Sequence, residues 1–141
     1  MIKLREAVGD GIGANFDPSH LFWQGIDPCQ SIRELKGMIY HFHAKDTKIN
    51  PYQTAINGVL DTKSFADVSE RPWIFRTVGY GNGENIWNDI FSTLQEVGYD
   101  GVVSIEHEDA LMTQKEGLEK AISFLKRTMI FDKASEDVYW A

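Results

Sequence analysis

The fold of this chain is decided by the stretch Gly101-Val102-Val103-Ser104-Ile105-Glu106-His107-Glu108-Asp109. Its first five residues form a short, mostly apolar run that is typical of a buried strand, and the run ends in charged side chains. A long helix is predicted to follow, from about Gln114 to Ile130, because apolar residues recur there at helical spacing. These residues are Leu118, Ala121, Ile122, Leu125 and Met129. A strand, a polar loop and a helix in this order form the repeating unit of parallel β/α folds.

The same order of features is found upstream. Ile12 to Asp17 and Met38 to His43 are strand-like runs that close in polar residues, and Asp27-Pro28 is a typical start for a helix that continues to about Lys36. Trp73 to Val78 is predicted as a further short strand, and Glu84 to Val97 as an amphipathic helix. The alternation predicts an α/β fold of about four parallel strands with flanking helices, joined by right-handed crossovers.

One long stretch, Thr47 to Pro72, shows no clear periodicity. It is punctuated by Asn50-Pro51, Asn57-Gly58 and Arg71-Pro72, pairs that usually mark turns. A structureless connection of this length is uncommon unless it has a function. We therefore predict a functional loop over a site.

Composition narrows the possible partners. The 141 residues include 14 basic and 21 acidic side chains, which gives a net charge of −7, and the pI is near 5.0. An acidic surface repels phosphodiester backbones, so nucleic acid is not expected as a partner. No segment approaches the ~20 apolar residues of a membrane span, and no signal peptide is recognisable. With Cys29 as the single cysteine, a cytoplasmic location is expected.

The candidate chemical groups lie at the ends of the predicted strands. Asp17 ends the first strand, His41 and His43 lie near the end of the second, and Glu106 follows the last. In parallel β/α folds the carboxyl edge of the sheet is where ligands bind, and alternate strand residues share a face. Two carboxylates and an imidazole suit Mn²⁺, Mg²⁺, Co²⁺ or Zn²⁺.

Each of these residues also has a purely structural interpretation. Asp17 can cap the turn before Pro18, and His41 can be a hydrogen-bonded core histidine. The charged run from Glu106 to Asp109 can be a solvated turn. The joint arrangement, rather than any single residue, favours a metal site.

Several motifs in register resemble those of one known family, the sugar phosphate isomerases and epimerases with a xylose isomerase-like TIM barrel. The resemblance extends from about Leu4 to Thr128, and its motifs are Asn15-Phe16-Asp17-Pro18-Ser19-His20, His41-Phe42-His43-Ala44-Lys45-Asp46, Gly79-Tyr80-Gly81-Asn82-Gly83-Glu84 and Ser104-Ile105-Glu106-His107-Glu108. It implies a β/α barrel in which one divalent metal is held by side chains at four strand ends.

The resemblance also implies roles for individual residues. Asp17, His43 and Glu106 match metal ligands, and Glu106 matches the ligand that also moves a proton. His20 resembles a histidine that contacts the substrate, and Lys45 is expected to orient substrate oxygens. The implied reaction is proton transfer next to the carbonyl of a sugar or sugar phosphate, through a metal-stabilised enediolate.

Only the C-terminal half of the barrel has a counterpart here. A complete barrel needs roughly 250 residues, so residues 1–130 are predicted to form a half barrel, followed by a tail over 131–141. The family's other glutamate ligand, which acts as the second acid or base, is absent from the matched region. Exposed sheet edges and an open barrel face are association hazards. We therefore expect a homo-oligomer or pairing with a complementary half barrel.

Other functional interpretations remain open at the level of sequence. The chain can be a non-catalytic metal-binding or assembly fragment. Asp17, His20 and His43 can also supply the two histidines and one carboxylate of a non-haem Fe(II) oxygenase. Arg76, Lys45 and the Gly79 to Gly83 turn can meet a substrate phosphate, although the same turn can simply lead into a helix.

Overall fold

Strands and helices largely alternate along residues 1–132, the part of the chain that the computed structural model describes. In chain order they are α1 (Ile2–Val8), β1 (Ala14–Phe16), α2 (Ser19–Phe22), α3 (Pro28–Glu34), β2 (Ile39–Ala44), β3 (Asp46–Ile49), α4 (Pro51–Asn57), β4 (Trp73–Arg76), α5 (Glu84–Glu96), β5 (Val103–Ile105) and α6 (Gln114–Thr128). The predicted α/β class is confirmed. Of the tail predicted over 131–141, residues 133–141 lie outside the described part.

A parallel sheet with the order β1-β2-β5 carries the polar strand ends. Phe16 of β1 pairs with Phe42 of β2, and Ala44 of β2 pairs with Ile105 of β5. This register places the carboxyl ends of the three strands beside one another. The sheet, flanked by helices, is that of a partial TIM barrel.

The predicted strand at Trp73 to Val78 forms, but it does not join this sheet. It is β4, and it pairs antiparallel with β3, with Asp46 opposite Arg76 and Ile49 opposite Trp73. Because β2 already pairs with β1 on one side and β5 on the other, it has no free edge for β4. The parallel sheet of the described residues therefore has three strands rather than about four.

The stretch predicted as a long loop contains β3 and the helix α4. The Asn50 side chain accepts a hydrogen bond from the Gln53 backbone N–H, and Pro51 takes the first helical position, so the Asn-Pro pair starts a helix. No residue of α4 is buried. A helix without a buried face has no apolar periodicity, which is why the pattern in the sequence does not indicate it.

The core lies between the sheet and helices α5 and α6. On α5, which is amphipathic as predicted, the apolar residues Trp87, Ile90, Phe91 and Leu94 are buried, whereas Ile86 is exposed. On α6 the buried stripe runs through Ala121, Phe124 and Leu125, and the predicted inner residues Leu118 and Ile122 are exposed. The stripe that faces the core is therefore rotated relative to the one predicted.

Within the described residues, no helix combines the length and apolarity that crossing a bilayer requires.

Candidate metal centre and substrate site

Asp17, His43 and Glu106 meet at the carboxyl edge of the parallel sheet. Asp17 directly follows β1, His43 is the second-last residue of β2, and Glu106 directly follows β5. The register puts Asp17 beside His43, because Phe16 pairs with Phe42, and it puts Glu106 two residues beyond Ser104, the partner of His43. The three predicted ligands, which are far apart in sequence, are thus brought together by the strand order β1-β2-β5.

The geometry of these three side chains is compatible with a single ion. One ligand atom from each residue can be chosen so that all three lie within 4.8 Å of one another. His43 Nδ1 contacts Glu106 Oε2, and all three residues are half-buried. Ions such as Mn²⁺ and Zn²⁺ lie about 2.0 to 2.3 Å from their ligands, so two ligand atoms on one ion are up to about 4.5 Å apart. Small movements of these side chains would bring all three ligand atoms within binding distance of one ion.

Lys45 links the acidic groups of this cluster. Its ammonium nitrogen lies 2.9 Å from Glu106 Oε1, 2.9 Å from Glu108 Oε2 and 3.8 Å from Asp17 Oδ2, and its side chain is 3% exposed. Burial alone would lower the pKa of Lys45, but the hydrogen bonds to Glu108 and Glu106 outweigh burial and raise this pKa. For a carboxyl group burial acts in the opposite direction and would raise the pKa of Glu106, yet Lys45 and His43 hold this pKa below its ordinary value.

His20 lies next to the cluster but is directed to Asp17. Its Nε2 is 3.4 Å from Asp17 Oδ2, and the other Asp17 oxygen accepts a hydrogen bond of 2.9 Å from the Ser19 backbone N–H. The His20 ring also meets the Phe75 ring edge to face, with 5.3 Å between centroids. His20 is half exposed, so its imidazole is available to a bound molecule.

His41 lies on the same face of β2 as His43, and the two ring centroids are 5.2 Å apart. Its Nε2 lies 2.8 Å from the Ser104 hydroxyl of the neighbouring strand β5. Among the described residues, the group that can share an ion contains His43 and not His41. This placement agrees with the interpretation of His41 as a hydrogen-bonded histidine of the sheet.

Arg76, predicted to contact substrate, is paired with a buried carboxylate. Its Nε lies 3.0 Å from Asp109 Oδ2, and its guanidinium lies 5.5 Å from the centroid of the Tyr80 ring. The Thr77 backbone N–H also donates to Asp109 Oδ2, at 2.8 Å. Burial would raise the pKa of Asp109, but these hydrogen bonds together lower it.

This lowered pKa predicts a loss of stability in acid. A carboxyl group whose folded-state pKa lies below its ordinary value of 3.8 stabilises the fold fully above that value, and the contribution disappears as the pH falls through the folded-state pKa. Urea midpoints measured from about pH 7 down to about pH 2.5 should fall more steeply for the wild type than for Asp109→Asn. Parallel pH profiles for the two proteins would contradict this assignment.

Asp46 is a buried hub that the sequence pattern did not single out. Its side chain is fully buried. In every one of its hydrogen bonds it is the acceptor, and the donors come from three different segments of the chain. The donors are the backbone N–H groups of Thr47, Gly79, Gly81 and Asn82, the Asn82 side-chain amide and the Trp87 indole. Burial raises the pKa of this carboxyl, and the donors oppose that rise. Asp46 therefore fixes the glycine-rich turn to the end of β2.

The close packing of this turn explains one of its glycines. A Cβ atom built on Gly81 would lie 2.3 Å from the Thr47 carbonyl oxygen. Backbone atoms cannot give way by that much, so only glycine allows the turn to approach Asp46. The glycine at position 81 is thus explained by the packing of the turn against Thr47 and Asp46.

Comparisons with known proteins agree with this architecture. The family model described as xylose isomerase-like TIM barrel matches residues 1–128. The uncharacterized protein YfiH of Bacillus subtilis (strain 168) is 42% identical over 129 residues, a match that covers 92% of this chain and 41% of YfiH. A crystal structure of a xylose isomerase domain protein from Planctomyces limnophilus is similar in fold, with a TM-score of 0.57 and 22% identity over 90% of this chain and 43% of that one.

The chain therefore spans about two fifths of the length of either protein. The family match, by contrast, extends over nearly the whole chain, and the strand order and clustered strand ends agree with it. By its sequence and its fold, this chain belongs to the xylose isomerase-like TIM barrel family.

Proposed function

We propose that this chain carries the metal-binding part of a divalent-metal-dependent sugar or sugar phosphate isomerase or epimerase. The observation that carries the proposal is the meeting of Asp17, His43 and Glu106 at the ends of three adjacent parallel strands. The reaction would move a proton on a carbon next to the substrate carbonyl. Family membership supports the reaction class, and the donor set supports the metal.

Asp17, His43 and Glu106 would hold the cation, with Mn²⁺, Mg²⁺, Co²⁺ or Zn²⁺ as candidates for this oxygen-rich donor set. When bound, a divalent cation supplies positive charge that stabilises negative charge developing on the substrate oxygens. Glu106 would accept the proton, because it is ionised at neutral pH and lies among the metal ligands, although its lowered pKa makes it a weaker base than an ordinary carboxylate. Glu106 is thus the proposed catalytic residue.

His20 would orient the substrate oxygens directly, and Lys45 would do so through Glu106 and Glu108, the carboxylates that its ammonium contacts. Both lie against the Phe75 ring beside the metal ligands, Lys45 buried and His20 half exposed. Arg76 would not contact the substrate oxygens directly, because its guanidinium is paired with Asp109. A second carboxylate that returns the proton is not among the residues matched to the family pattern, so complete turnover would require a further contribution to the site.

Two alternatives give different expectations. A non-catalytic metal-binding or assembly fragment would bind the ion without exchanging substrate protons. An Fe(II) oxygenase site built from Asp17, His20 and His43 is disfavoured, because the described residues that can share an ion include Glu106 and not His20. The parallel sheet also differs from the antiparallel barrels associated with that chemistry.

Proton exchange tests the proposal directly. The full chain loaded with Mn²⁺ is incubated with 2-ketohexoses or aldohexoses in D₂O, and deuterium at the carbon next to the carbonyl is followed by NMR. We expect incorporation that stops when the metal is chelated and in Glu106→Gln. Metal binding without any exchange would support the assembly fragment instead, and turnover that consumes O₂ would support the oxygenase.

We also infer that the chain associates through its open sheet edges. β1 and β5 each pair on one side only within the described residues, and Val102, directly before β5, is 62% exposed. A second copy of the chain or a complementary half barrel would cover these edges. Light scattering of the purified protein should give a mass above 16.0 kDa that falls on dilution. A constant monomer mass at every concentration would contradict self-association.

A further inference from the structure

A cavity lies near the candidate metal centre. Its volume is about 330 Å³, and it is lined by Phe65, Ile74, Phe75, Glu108 and Ala110. Lys45 connects it to the metal ligands, because its ammonium lies 4.0 Å from the centroid of the Phe75 ring and 2.9 Å from both Glu108 and Glu106. The cavity is therefore one side chain away from the metal ligands, near enough for a sugar bound at those ligands to reach it. A larger cavity, of about 820 Å³, lies beside residues 98–101 at the amino end of β5 and contains none of the metal-ligand candidates.

The charge of the cavity is decided by Glu108. Its side chain is 52% exposed, and it is the one charged residue in the lining. Lys45, the nearest cation, lies between two carboxylates and is 3% exposed. A substrate group in this cavity therefore faces a carboxylate and two aromatic rings.

Two arginines near the cavity, Arg76 and Arg71, are also engaged. Arg76 is paired with Asp109 at 3.0 Å. Arg71 lies behind Phe65, 3.9 Å from the centroid of its ring, and is 2% exposed, with its guanidinium donating to the carbonyl oxygens of Lys63 and Trp73. Neither guanidinium is among the groups that line the cavity.

Most of the backbone donors of the glycine-rich turn are already bound within the protein. A phosphate held by such a turn needs several convergent backbone N–H groups. In this fold the N–H groups of Gly79, Gly81 and Asn82 converge on Asp46 Oδ2, at 2.9 to 3.0 Å. The Asp46 carboxylate thus occupies the position that a phosphate would otherwise take.

From these contacts we infer that the substrate end bound in this cavity is uncharged and polyhydroxylated, so that the chain selects an unphosphorylated sugar over its phosphate ester. This inference rests on the proposed function and specifies its substrate class. The Phe65 and Phe75 side chains add apolar surface to the lining, against which the C–H groups of a sugar can pack. Glu108 accepts hydrogen bonds from hydroxyl groups and repels a phosphate.

The test compares matched ligands on the same protein. The full chain, saturated with Mn²⁺, is titrated by calorimetry with each 2-ketohexose and with its 6-phosphate. We expect the sugar to bind at least about tenfold more tightly than its phosphate, since a like charge a few ångströms away weakens binding by about this factor. In Glu108→Gln the preference should shrink by about tenfold, because the repulsion is removed.

Glu84→Gln is the matched control. The Glu84 side chain is also 52% exposed and also paired with a cation, Arg127, at 3.0 Å, but it does not line the cavity. The Glu84→Gln variant should leave the preference for the sugar over its phosphate unchanged. Equal or tighter binding of the phosphates, or an unchanged preference in Glu108→Gln, would overturn this inference while leaving the proposed function intact. Binding of neither ligand class to the metal-loaded protein would overturn both.

Discussion

Glu106→Gln is expected to weaken binding of Mn²⁺ by about 100-fold or more. The substitution keeps the size of the side chain but removes the negative charge, and one of its two terminal atoms becomes a donor. That donor would face Lys45 or His43, which now contact the Glu106 carboxylate. Calorimetric titration of metal-free protein with MnCl₂ measures the affinity. The rise in melting temperature at saturating Mn²⁺ should disappear in the variant, because a ligand stabilises only the state that binds it.

The control for this prediction is again a glutamate outside the cluster. Glu84→Gln removes the same charge from an ion pair with Arg127 and should leave the Mn²⁺ affinity within about twofold of the wild type. Because each protein is titrated without sugar, the result does not depend on catalysis. Wild-type affinity in Glu106→Gln would rule out the proposed ligand set.

The second large effect is expected for Asp46→Asn, which should lower the free energy of unfolding by about 3 kcal/mol. Both Asp46 oxygens accept hydrogen bonds, and every partner is a donor. An asparagine in either orientation directs its NH₂ group at these donors, so hydrogen bonds are lost in a site that is closed to water. Urea unfolding followed by circular dichroism gives the free energies.

Asp27→Asn is the matched substitution. Asp27 caps α3 by accepting from the backbone N–H groups of Cys29 and Gln30, and asparagine caps a helix as well as aspartate does. We expect a change within about 0.5 kcal/mol. A loss below about 1 kcal/mol in Asp46→Asn would show that the hub contributes less than its contacts suggest. Failure of this variant to fold would agree with the prediction.

Much of the candidate site could be predicted because its residues follow recognisable strands. Asp17, His43 and Glu106 each lie at the end of an apolar run, and parallel strands place such ends at one edge. Glu108 and Phe75 were not predicted as parts of the site. Glu108 lay in a run of charges, and Phe75 in a strand that looked like part of the main sheet. Their importance depends on contacts with Lys45 that no local pattern indicates.

The glycine-rich turn shows the same limit. Its sequence is compatible with a phosphate site and with a plain connection into α5. Asp46 decides between them, although it lies more than 30 residues upstream in the chain. Which acceptor meets a set of backbone donors depends on the distance in space, and chain spacing does not set that distance.

The sequence alone determined the α/β class, the parallel strands and the three residues that meet at their ends, because apolar periodicity and strand polarity are local properties of the chain. The tertiary structure alone decided that β4 pairs with β3, that α4 forms without a buried face, and that carboxylates engage Lys45, Arg76 and the glycine-rich turn. The physical reason is that hydrogen-bond and charge partners are chosen by proximity after folding, when buried groups must be paired within the protein.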